Sequence, residues 1–152
     1  MPASPAPTHA STMMRLLIVE DEAVDAMLLK RAFSRTALNL EMSHVTDGDA
    51  AHQHLVDRDE DTLPHVILLD LNMPRLSGVE VLKLIKGDTR WQDITVVIFS
   101  SSRWDKEIDA CFAAGATSYI EKPHDLEGYN QVVDVLEGFW MGDPMPRMLK
   151  HS

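Results

Sequence analysis

The chain has 152 residues, 14 Lys and Arg against 24 Asp and Glu, and a formal net charge of −10. That balance argues against general binding to nucleic acid or to an anionic membrane, both of which need clustered cations. No apolar run approaches the ~20 residues of a membrane span, and the single cysteine, Cys111, cannot form an internal disulfide. With 45% hydrophobic residues, one soluble, cytoplasmic domain with a real core is expected.

Residues 1–14 are rich in Pro, Ala, Ser and Thr and lack the charged start and apolar block of a secretory signal. They read as a disordered leader. Leu16-Leu17-Ile18-Val19 is a short apolar run that stops at Glu20-Asp21-Glu22, the mark of a strand buried on both faces. Val24, Leu28, Leu29, Ala32 and Phe33 then recur at helical spacing, which predicts a helix over 22–36. A weaker strand follows at 40–45, and Asp47-Gly48-Asp49 caps a helix running to Val56.

Beyond an acidic loop, 57–62, the run Val66-Ile67-Leu68-Leu69 forms the next buried strand and ends in Asp70. After Asn72-Met73-Pro74, a helix carries Val79, Leu82 and Ile85 on one side. The strand 94–99 leads into Ser100 and a helix that runs through Ala114. A brief strand, 117–120, leads to Lys122-Pro123, and a last helix spans 126–140. Residues 142–152, with Pro144 and Pro146, read as a tail. The expected domain therefore occupies 15–141, with no output domain after it.

Five strands alternating with five helices describe a parallel sheet with helices on both faces. Right-handed crossovers leave the doubly wound, flavodoxin-like α/β order 2-1-3-4-5 as the natural candidate. Ligands of such sheets bind beyond the carboxyl ends of the strands. Glu20, Asp21, Asp70, Ser100 and Lys122 all fall there.

Singly, each of these residues has an ordinary explanation: an Asp after a strand caps the next helix, a Ser turns the chain, a Lys is solvated. Together they do not. Two like charges about 5 Å apart at an effective dielectric of about 20 repel by about 3 kcal/mol, so the carboxylates must hold protons or a cation. An oxygen-rich site with few protein ligands suits Mg²⁺, which keeps several waters. Such parts perform phosphoryl transfer. Asp70 is the nucleophile, Asp21 and Asp70 hold the ion, and Glu20 reaches it through a water. Lys122 and Ser100 clamp the phosphoryl oxygens.

Four segments in order, Leu-Ile-Val-Glu-Asp-Glu (17–22), Leu-Leu-Asp-Leu-Asn-Met-Pro (68–74) with Ser77-Gly78, Phe-Ser-Ser-Ser (99–102) and Gly-Ala-Thr-Ser-Tyr-Ile-Glu-Lys-Pro (115–123), resemble the response-regulator receiver family over about residues 15–140. The resemblance implies a receiver that takes a phosphoryl group from a sensor histidine kinase onto Asp70 and catalyses only its own phosphorylation and dephosphorylation. It implies a metal site of Asp21, Asp70 and the backbone carbonyl of Asn72, with Glu20 nearby. It also implies a switch in which Ser100 moves toward the phosphate and Tyr119 turns inward, changing the surface of the fourth helix, fifth strand and fifth helix. The Lys122-Pro123 bond is expected to be cis on the same ground. Ser100 stands for the commoner threonine, Ser77 for a frequent Asp, and His124 for a frequent aromatic; none removes a catalytic group. Glu-Asp-Glu-Ala-Val-Asp (20–25), the acidic segment 57–61, the Phe-Ser-Ser-Ser stretch and Glu-Gly-Phe-Trp (137–140) resemble the small receivers paired with bacterial phytochromes, which implies a light-sensing kinase as partner.

No DNA-binding helix-turn-helix fits after Trp140, so output is expected through partner binding, onward phosphotransfer or draining the phosphoryl group from the kinase. The apolar residues of the last helix spread over about half its circumference. One explanation is deep burial. The other is a homodimer in which Val132, Val135 and Phe139 pack against a second subunit. A Mg²⁺-dependent phosphohydrolase with an aspartyl nucleophile is the nearest rival function, but its haloacid-dehalogenase form needs a second Asp where this chain has Asn72. Glu20-Asp21-Glu22 would repel the phosphate of a flavin. His52 and His54, two apart, face different sides of their helix and suit surface placement better than zinc.

Overall fold

The computed structural model describes residues 12–150. Its elements run β1 (Met14–Val19), α1 (Ala23–Phe33), β2 (Leu40–Val45), α2 (Gly48–Val56), a 3-10 turn (Glu60–Thr62), β3 (Val66–Leu69), α3 (Gly78–Lys86), β4 (Thr95–Ser100), α4 (Asp105–Ala113), β5 (Ser118–Glu121), α5 (Leu126–Trp140) and β6 (Met148–Leu149). All strands are parallel, in the order β2-β1-β3-β4-β5-β6.

The continuous apolar runs follow from burial on both faces. Leu17, Val19, Ile67, Leu69, Val96 and Ile98 point to one side and pack with Ala51 and Leu55 of α2, Val81, Leu82 and Ile85 of α3, and Ile108 and Cys111 of α4. Their neighbours Leu16, Ile18, Val66, Leu68, Val97 and Phe99 point to the other side, against Leu29 and Phe33 of α1 and Tyr129, Val132, Leu136 and Trp140 of α5. Strand alternation thus divides one sequence run between two cores.

The sheet has six strands, not the expected five. Residues 143–150 fold back instead of trailing as a tail: the Tyr119 amide donates to the Arg147 carbonyl at 2.9 Å and Ser118 Oγ donates to the Pro146 carbonyl at 2.6 Å. Arg147 also stacks its guanidinium on Phe112, 3.9 Å from the ring centroid. Two residues that follow a pair of prolines carry no period of their own; the edge of β5 supplies the hydrogen bonds that define β6.

Other expectations shift as well. Of the expected leader, residues 1–11 lie outside the described residues, but Met14 belongs to β1 and is fully buried. All described peptide bonds are trans, so the Lys122-Pro123 bond is not cis; trans is the lower-energy state of an X-Pro bond unless its surroundings override it. Deep burial accounts for the wide apolar arc of α5. Val132 is fully buried, because α5 packs on the sheet beside α1 and the returning segment places Met145 and Leu149 on the same cluster. Val132 therefore has no surface to offer a second subunit, and only Val135 and Phe139 of that trio are partly exposed.

Trp140 closes the end of the sheet far from the strand carboxyl ends. Its indole Nε1 donates to the Thr12 carbonyl at 3.2 Å and its ring lies 4.8 Å from that of His65. Trp140→Ala is expected to cost about 3–5 kcal/mol, measured as a lower urea midpoint with the m-value preserved.

Candidate functional site

Four strand ends converge, held by three backbone hydrogen bonds that continue the ladders one residue past the strands. The Glu20 amide donates to the Val45 carbonyl at 3.0 Å, Asp70 to Val19 at 3.0 Å, and Lys122 to Ser100 at 2.9 Å. With Val19 paired to Leu69 and Ser100 to Glu121, these bonds fix Glu20, Asp70, Ser100 and Lys122 along one edge. Glu20, Asp70 and Ser100 are buried; Asp21, one residue further along its loop, is half-buried.

Carboxylate oxygens of Glu20, Asp21 and Asp70 all lie within 4.8 Å of one another. Asp70 Oδ1 accepts the Asn72 amide at 3.2 Å, and Glu20 Oε2 accepts the Glu22 amide at 3.1 Å. Asp21 Oδ1 is buried with no hydrogen-bond partner. A buried acceptor without a donor is costly; a hard divalent cation at this all-oxygen cluster supplies the missing positive partner. The donor set thus fits Mg²⁺ or a close relative. Burial pushes the Asp70 carboxyl up to about 8, with the Glu20 carboxylate adding to the shift and Lys122 and the Asn72 amide opposing it.

Lys122 supplies the cluster's own cation. Its Nζ lies 2.8 Å from Asp25 Oδ2, 2.9 Å from Glu20 Oε1 and 3.7 Å from Asp70 Oδ2. Burial works against its charge, but Asp25, Glu20 and then Asp70 hold its pKa above the ordinary lysine value. Asp25 is the site residue that sequence reasoning passed over. It lies in the segment 20–25, yet an acid in the first turn of a helix already has an explanation in the helix dipole.

Ser100 Oγ accepts the Ser102 amide at 3.1 Å, and the Tyr119 hydroxyl donates to the Ser102 carbonyl at 2.8 Å. The two expected switch residues thus meet through one loop residue. Tyr119 already lies inward and buried in this structure. Ser77, standing for an Asp, caps α3: its Oγ accepts the Glu80 amide and Glu80 returns the bond to the Ser77 amide. Gly78, next to it, is fixed by space. A Cβ there would stand 2.4 Å from the Asp70 carbonyl oxygen, so any side chain displaces the Asp70 backbone. His52 packs edge-on against Trp91, and His52 and His54 are not among the described residues that gather as metal ligands.

The sequence pattern described as the response regulator receiver domain matches residues 16–134, and the chain belongs to that family. A probable methanogenesis regulatory protein, FilR2, of Methanothrix harundinacea is 33% identical over 84% of this chain and 83% of its own. Among solved structures, the phosphorylated cyanobacterial phytochrome response regulator RcpA superposes with a TM-score of 0.78 at 32% identity, covering 86% of this chain and 96% of that one. The Mn²⁺-bound form of response regulator Rcp1, a protein of Synechocystis, superposes with a TM-score of 0.75 at 30% identity, covering 85% and 95%.

The raised Asp70 pKa has a stability consequence with a definite sign. The folded chain holds the Asp70 proton more tightly than the unfolded chain, so ionisation costs stability: nothing below 3.8, the full amount above about 8. In a chelating buffer Asp70→Asn is therefore expected to raise Tm by a few degrees, about 1–2 kcal/mol, above pH about 8 and hardly at all near pH about 5. Thermal scans at the two pH values check it; equal shifts at both would contradict the assignment.

Proposed function

We propose that this receiver accepts a phosphoryl group from a phosphohistidine of a sensor kinase onto Asp70, in a reaction that requires Mg²⁺. The observation that carries the reading is the buried Asp70 carboxylate between the orphaned Asp21 Oδ1 and the Lys122 ammonium. An Asp70 oxygen forms the new bond to phosphorus while the phosphorus–nitrogen bond to the kinase histidine breaks, and the leaving imidazole recovers the electron pair. Asp21, Asp70 and the Asn72 carbonyl, with Glu20 behind them, would hold the Mg²⁺, which when bound would neutralise charge on the transferring oxygens. Lys122 moves its ammonium onto a phosphoryl oxygen, and the Ser100 hydroxyl donates to another.

Output in this reading leaves through α4, β5 and α5. Drawing Ser100 toward the phosphoryl group disturbs its bond from the Ser102 amide, and Ser102 is where the Tyr119 hydroxyl is held. The partner is best sought among phytochrome-type light-sensing kinases, because RcpA is a phytochrome response regulator. The similarly close FilR2 keeps other sensor kinases in view.

Incubation with acetyl phosphate, followed by intact-mass measurement, tests the chemistry. One phosphoryl adduct is expected, dependent on Mg²⁺ and absent from Asp70→Asn; no adduct with any small donor would sink the reading. Transfer from a purified phytochrome kinase that changes with illumination tests the partner.

A further inference from the structure

We propose that Asp25 is a positioning residue that parks the Lys122 ammonium beside Asp70 instead of on it, leaving the Asp70 carboxylate free for a divalent cation. The inference rests on the cation-dependent reading of the site and adds to it a residue outside the expected set.

The geometry gives Lys122 two resting partners, Asp25 at 2.8 Å and Glu20 at 2.9 Å, and neither is Asp70. Lys122 Nζ is 2.8 Å from Asp25 Oδ2 but 3.7 Å from Asp70 Oδ2, beyond hydrogen-bond range. The second Asp25 oxygen is occupied too: Oδ1 accepts the Tyr129 hydroxyl at 3.3 Å. Tyr129 is itself buried and stands edge-on to Phe99, whose ring faces Lys122 Nζ at 5.7 Å from its centroid. Asp25 is thus set by α1, α5 and the core beneath them, unlike a mobile surface acid. Its side chain is only about a quarter exposed, at 26%, and that of Lys122 is 12% exposed.

Competition explains what this arrangement does. An ammonium has three protons and a strong preference for the nearest carboxylates. Without Asp25, the nearest acceptors are Glu20 and Asp70, two of the three carboxylates that gather for the cation. A lysine drawn onto Asp70 opposes a cation at the same oxygens, by occupancy and by like-charge repulsion. Asp25 holds the lysine one step away, close enough to swing onto an incoming phosphoryl oxygen.

The test is calorimetric titration with Mn²⁺ alone on four full-length proteins: wild type, Asp25→Asn, Lys122→Met and the double variant. Asn and Met keep the volumes, so folding is preserved. Asp25→Asn is expected to weaken Mn²⁺ binding about three- to tenfold in the wild-type background and less than about twofold when Lys122 is already Met. Equal weakening in both backgrounds would mean that Asp25 contributes only its charge, and no weakening in either would mean that it positions nothing; both outcomes overturn the proposal. The acetyl phosphate measurement on wild type reports separately on the phosphotransfer reading, which can fail while the lysine–Asp25 coupling stands.

Discussion

The structure depends on confining like charges at one edge of an apolar sheet. Glu20 and Asp70 are buried beside Asp21, and Lys122 is shared between Asp70, Glu20 and Asp25. Each unscreened carboxylate pair costs on the order of 3 kcal/mol at about 5 Å. The side chains do not choose that proximity. Backbone bonds from Asp70 to Val19 and from Lys122 to Ser100 impose it, as extensions of ladders whose interiors are packed on both faces. Two apolar layers hold together an arrangement that its own charges oppose, and that opposition is what a cation would relieve in the phosphoryl chemistry proposed for the site.

The same confinement links the acidic edge to the far side of β4 and β5. Ser100 is the last residue of β4, Ser102 binds it through its amide, and Ser102 in turn accepts the Tyr119 hydroxyl. Tyr119 pairs in register with Met148, and its amide bonds the Arg147 carbonyl. A displacement at Ser100 therefore meets a continuous run of hydrogen-bonded and paired groups ending on β6, which lies along β5. The added strand changes what a partner meets at this surface: the backbone edge of β5 is covered by residues 147–149, and α4 contacts the returning segment through the stacking of Arg147 on Phe112.

Much of this was legible in the sequence, and the boundary of legibility is physical. Runs such as 16–19 and 66–69 announce buried parallel strands because both faces are covered, so no polar residue interrupts them. The charged residues that stop those runs mark the sheet edge, which is why Glu20, Asp21, Asp70, Ser100 and Lys122 could be assembled before any coordinates. β6 was not legible, since a two-residue strand is specified by its neighbour's free edge. Val132 misled for a related reason: a wide apolar arc is the same pattern whether the second half faces a partner or the chain's own returning terminus. Asp25 was hidden because its direction depends on how α5 packs on α1, where the Tyr129 hydroxyl reaches it, and helix spacing carries no information about that contact.

The departures from the family's commoner residues also resolve into local physics. Ser77, where an Asp is frequent, forms a reciprocal capping box with Glu80, so the start of α3 keeps an oxygen acceptor without bringing another negative charge toward the acidic edge. That start must stay close: the Gly78 amide donates to the Leu71 carbonyl at 3.1 Å, and the absence of a Cβ lets α3 lie against the Asp70 backbone. A neutral cap at 77 and no side chain at 78 meet the same demand from two directions. The loop carrying Asp70 is closed tightly, and the means of closing it add no charge to a site that already carries an excess of one sign.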